Sequence, residues 1–99
     1  MAFIQIVEFS TDKGDEVRQL GEQYRKDTEG RSTSKRVTAC VDRDNPKHYM
    51  IIAEFDSYES AMENSNLPVT QEFAQRMMAL SDGPPNFYNL DVVEDRTLA

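Results

Sequence analysis

His48 is the one histidine in the chain, and so the one side chain whose ordinary pKa lies near neutrality. Facing a pocket it would serve as a general base; otherwise it is a part-exposed histidine where a strand begins. A lone residue makes no constellation. Four phenols come next: Tyr24, Tyr49, Tyr58 and Tyr88. Tyr88 pairs with His48 as the catalytic candidate, and Tyr49 is a substrate contact. Tyr24 and Tyr58 read as core or rim, since a half-buried tyrosine commonly packs its ring and keeps its hydroxyl at the edge. From the rim Tyr24 still reaches a substrate. Asn64 and Asn66 flank a helix break and offer amide donors at a pocket mouth, or helix caps, which suits Asn66. Phe73 and Met77 add apolar contacts.

Gln5, Glu8, Glu54, Asn89 and Asp91 are polar residues within apolar strands. Buried, they need partners, and Arg36 can pair with one of them. Cys40, the single cysteine, reads as a small buried hydrophobe, and Met62, Met77 and Met78 as core filler. One histidine and one cysteine give no zinc signature. No glycine-rich phosphate loop and no GxSxG element is present. No metal and no cofactor is expected.

The elements that must position these groups follow from periodicity. Ala2 to Phe9 reads as a strand, with Ile4 and Ile6 on one side and Phe3, Val7 and Phe9 on the other. Ser10-Thr11-Asp12 offers N-cap oxygens to a helix carrying Val17, Leu20, Gly21 and Tyr24 on one stripe, stopped near Gly30. Arg36–Val41 is a second strand, and Asp42 to Pro46 a hairpin loop. Lys47–Phe55 is a third strand, with Met50 and Ile52 opposite Tyr49, Ile51, Ala53 and Phe55. Asp56-Ser57-Tyr58-Glu59 resembles a capping box. Asn66-Leu67-Pro68 breaks the second helical region, Pro68 fitting a first turn. Phe73, Met77 and Leu80 form the next stripe, which Ser81 to Pro85 ends. A last strand runs from Asn86 to about Val93. The order β-α-β-β-α-β is the ferredoxin-like α+β sandwich, a four-stranded antiparallel sheet with helices on one face.

Residues 1–99 suit one domain. Strands one and three are apolar on both faces, and the helices suffice to cover only one. A second copy of the chain is the expected cover for the other. The net charge of −7, without a basic surface, argues against nucleic acid and against an anionic membrane. No charged leader and no long apolar segment is visible, so a cytoplasmic protein is expected.

Three passages carry a family resemblance: Ile52 to Met62, Asn64 to Phe73, and Gly83 to Val92. Together with the element order they resemble the antibiotic biosynthesis monooxygenase-like members of the dimeric α/β-barrel superfamily, over nearly the whole chain. The resemblance implies two sheets packed face to face across a two-fold axis, with an interface of ~1,600 Å² or more, and a pocket between sheet and helices in each protomer. It also implies oxygenase chemistry without metal or flavin, in which a small, phenolic polyketide-like substrate is deprotonated and its anion reacts with O₂. His48 would be the base, and Tyr49, Tyr88 or Asn66 would steady the oxygen. Some members of the family place a tryptophan in the pocket; this chain has none. The alternative is a non-catalytic, small-molecule-binding or accessory dimer. Haem degradation, found in relatives of the fold, goes with an asparagine on strand one, a tryptophan, and a histidine on helix two. None of these stands here.

Overall fold

A computed structural model describes residues 1–98. Its elements are β1 (Phe3–Ser10), α1 (Gly14–Asp27), β2 (Arg36–Asp42), β3 (Asn45–Phe55), α2 (Tyr58–Ser65), α3 (Pro68–Leu80) and β4 (Asn86–Asp91). The four strands form one antiparallel sheet in the order β2-β3-β1-β4, the ferredoxin-like arrangement, with the second helical region split in two.

The local reasons are visible at the element ends. Ser57 caps α2, its hydroxyl accepting the Ser60 N–H at 3.1 Å. Pro68 opens α3 behind an extended Leu67, where its missing N–H costs nothing. Asn66 is the C-cap of α2. α1 begins later than Ser10-Thr11-Asp12 suggests, with Lys13 at its N-cap position. The buried Thr11 instead donates its hydroxyl to the Leu80 carbonyl at 2.6 Å and accepts the Lys13 N–H, fastening the end of α3 to the start of α1. Gly30, just past α1, has φ +79°, which a side chain would strain.

Register assigns the sheet faces. Phe3 lies opposite Phe55, Gln5 opposite Ala53, Val7 opposite Ile51 and Phe9 opposite Tyr49, and these residues face the helices. Under α2 the core is Phe3, Phe55 and Ala61, joined by Ala53 and Met62. Under α1 and α3 it is Phe9, Val17 and Met77, joined by Val7, Leu20, Tyr49, Ile51, Phe73 and Leu80. Burying each large apolar side chain contributes about 1.5–3 kcal/mol, and among the described residues six apolar side chains are buried. That is a lean core.

The opposite face carries rows running from β2 to β4: Cys40, Met50, Glu8 and Asn86; Thr38, Ile52, Ile6 and Tyr88; Arg36, Glu54, Ile4 and Leu90. No helix covers it. Cys40 is therefore exposed rather than buried, because it sits on an edge strand and points away from the helices. Met78 is likewise exposed, while Met77, one position earlier, is core. Among the described residues no helix is long and apolar enough to cross a membrane.

Candidate functional site

Two groups of polar side chains stand on opposite sides of the sheet. On the open face, His48 lies between two carboxylates. Its Nδ1 is 3.1 Å from Asp42 Oδ2, and its Nε2 is 3.2 Å from Glu8 Oε2. Glu8 also accepts from Asn86 Nδ2 at 3.1 Å and from the Tyr88 hydroxyl at 3.4 Å. His48 and Tyr88, 40 residues apart in sequence, thus meet on Glu8. Hydrogen bonding to Asp42, then to Glu8, raises the His48 pKa above 6.5. Glu8 is lowered, first by Asn86 and then by His48. Asp42 is lowered by His48 and by the Asp44 N–H. The group is an imidazole ring between two carboxylates, with both ring nitrogens engaged, an arrangement that favours the protonated form. The carboxylates lie on opposite ring edges, and among the described residues no three His, Cys, Asp or Glu side chains converge to hold a metal.

The second group lies on the helix side. Asn64, near the end of α2, is buried. Its Oδ1 accepts from Ser32 Oγ at 3.1 Å and from the Thr33 N–H at 3.4 Å, and its Nδ2 donates to the Tyr24 hydroxyl at 3.3 Å. Tyr24 Oη is in turn 2.8 Å from Thr70 Oγ1. The Tyr24 ring stacks on Phe73, with centroids 4.4 Å apart. The two rings floor a groove of about 360 Å³ between α1 and α3, walled by Leu20 and Val69. Its rim is polar: Gln23 donates to Asp27 at 2.8 Å, and Arg76 pairs with Glu72 at 2.6 Å.

The remaining candidates are scattered. Tyr49 stacks on Phe9 at 5.7 Å on the helix side, so it and His48 point to opposite faces. Its hydroxyl closely approaches Gly14, where a methyl would overlap it. Met77 is packed in the core, and Asn66 ends α2. Tyr58 lies edge-on to Phe3 at the rim. Gln5 donates to Asn89 at 3.1 Å, and Arg36 stands 3.9 Å from Glu54. The sequence singled out neither Thr70 nor Asp42. Their signal was hydroxyl and carboxylate chemistry beside a named tyrosine and histidine, but it becomes visible only once the fold brings them together.

No family model and no curated protein matches the sequence. Solved structures do match, and they define the class as the fold of antibiotic biosynthesis monooxygenases. SnoaB, a cofactor-independent oxygenase from Streptomyces nogalater, is similar at TM-score 0.82 and 15% identity over 95% of each chain. Rv0793 from Mycobacterium tuberculosis is similar at TM-score 0.81 and 12% identity, covering 98% of this chain and all of the other. A Nitrosomonas europaea protein assigned as an antibiotic biosynthesis monooxygenase is similar at TM-score 0.79 and 11% identity, covering 93% and 90%. The resemblance drawn from the sequence thus holds at the level of fold.

Proposed function

We propose that this chain handles a small aromatic molecule as a cofactor-independent oxygenase and works as a homodimer. The observation that carries the reading is the whole-length correspondence of fold with SnoaB. The substrate sits on the helix side, in the groove floored by Tyr24 and Phe73. There the stacked rings hold its ring and limit water, and the Asn64 amide fixes the Tyr24 phenol. Loss of a proton makes the substrate electron-rich enough to react with O₂, and the protein supplies orientation, desolvation and proton transfer. A second copy covers Ile4, Ile6, Met50 and Ile52 on the open face. On this reading His48 and Tyr88 lie at the seam between copies. His48, with both ring nitrogens engaged by carboxylates, acts as a base only if one of them turns away.

The carrier alternative is favoured by one feature. The carboxylates that line the groove, Asp27 and Glu72, are engaged by Gln23 and Arg76, so neither is a free base. Oxygen consumption with phenolic polyketide analogues separates the readings. Uptake lost in Tyr24→Phe and Asn64→Ala but kept in His48→Ala and Tyr88→Phe supports the helix-side site. The reverse pattern gives the chemistry to His48 and Tyr88. Binding without uptake for every analogue leaves a carrier.

A further inference from the structure

We infer that Arg76 determines the specificity of the groove between α1 and α3: it takes the carboxylate of an aromatic acid in place of its own Glu72 partner, so the ligand carries an acidic group on its ring. The inference rests on the proposed helix-side placement of the ligand.

The groove floored by Tyr24 and Phe73 does not end with them. A second hollow of about 440 Å³, lined by Glu16, Gln19, Ala79 and Leu80, adjoins it, and Leu20, Gln23 and Arg76 line both. The lining positions recur at three- and four-residue steps on each helix, so a single furrow follows the seam between them. Arg76 stands at the junction of its two halves. Its side chain is 60% exposed, so a ligand entering from solvent reaches it. It follows Phe73 by three residues, which puts it one turn along α3 from the aromatic floor. A ring laid on that floor brings a substituent within reach of the guanidinium.

Arg76 already holds a carboxylate. Its Nη2 donates to Glu72 Oε1 at 2.6 Å. Both side chains of that pair are well exposed, and exposed pairs of this spacing contribute little. The guanidinium is a planar fork of five N–H donors that matches a carboxylate through two parallel bonds. A ligand carboxylate offers the same chemistry as Glu72 and adds the packing of its ring, so it displaces the weaker partner. Among the residues lining either half, Arg76 is the one cation, whereas Glu16, Asp27 and Glu72 are acidic. These repel an anion from the rest of the furrow. They leave it one position, which also fixes the orientation of the ring.

The test uses the full chain and three probes on one ring: 4-nitrobenzoate, the uncharged 4-nitrobenzamide, and 4-nitrophenolate, with affinities measured by calorimetry. Wild type should prefer the benzoate to the benzamide about tenfold, the low end for a charge-assisted bond because the site is exposed. Arg76→Gln should abolish that preference and leave benzamide binding unchanged. Arg76→Lys should keep part of it, as a charge without the fork. Glu72→Gln frees the guanidinium and should raise benzoate affinity about two- to threefold, a gain that a folding defect cannot mimic. A benzoate bound no better than the benzamide, a preference that survives in Arg76→Gln, or a phenolate held as tightly as the benzoate overturns the inference. So does failure of all three probes to bind, which also removes the helix-side placement. Selective benzoate binding without oxygen consumption by any aromatic acid instead refutes the oxygenase reading alone.

Discussion

Replacing Asn64 with alanine should be the most damaging polar truncation in the helical layer. The residue is only 8% exposed. It joins α2 to the 31–35 loop through Ser32 and Thr33, and to α1 through Tyr24. Two of its hydrogen bonds, those with Ser32 and Tyr24, are well formed and contribute about 1 kcal/mol each. The third, at 3.4 Å from the Thr33 N–H, is weaker, but its loss leaves a part-buried donor without a partner. The sum is about 2–3 kcal/mol. For a domain of this size that corresponds to a fall of roughly 10–20 °C in Tm. Urea denaturation followed by far-UV circular dichroism, with a thermal melt beside it, reads both quantities. Adding Ser32→Ala to the Asn64 variant should cost less than it does in wild type, because the two share a bond. A loss under about 0.5 kcal/mol, the range of ordinary surface changes, would refute the assignment of Asn64 as the junction of the helical layer.

Three further outcomes are expected. The single histidine makes its proton resonances directly readable, and His48 should titrate above 6.5; a value at or below that would break the clamp by Asp42 and Glu8. The raised histidine contributes fully below 6.5 and loses its contribution as pH rises through its folded value, whereas Glu8 and Asp42 contribute above their ordinary 4.5 and 3.8 and lose it as pH falls. The urea-midpoint gap between wild type and His48→Ala is therefore widest between pH 4.5 and 6.5. Ile52→Asp, in the middle of the open face, should convert a dimer into monomers by sedimentation; an unchanged profile would place the interface elsewhere. Ser57→Ala should lower stability by about 1 kcal/mol through the lost α2 cap, and an unaltered denaturation midpoint would argue against it.

Much of the fold was legible because it rests on local periodicity. Alternation in Phe3 to Phe9 and in Tyr49 to Phe55 separated the two sheet faces correctly, and Ser57 and Pro68 marked helix starts through their own backbone chemistry. Which face the helices cover was not legible, since both are apolar; Cys40 was misplaced for that reason. Thr11 looked like part of a cap, but it serves a carbonyl 69 positions away. The site is the extreme case. Tyr24, Asn64 and Thr70 come from three different helices, and Glu8 reaches His48 across two paired strands. No spacing along the chain encodes such meetings, because tertiary packing creates them.

β2 has one consequence of its own. It pairs only with β3, and every one of its residues is exposed, so a full row of amide and carbonyl groups faces outward along its free margin. Such a margin invites endless strand-on-strand growth in a crowded solution. Arg36 and Asp42 at its tips, and the slip in register after Val41, interrupt that template. Neutralising both tips should favour strand-on-strand aggregation along this margin, read as a rise in turbidity with concentration.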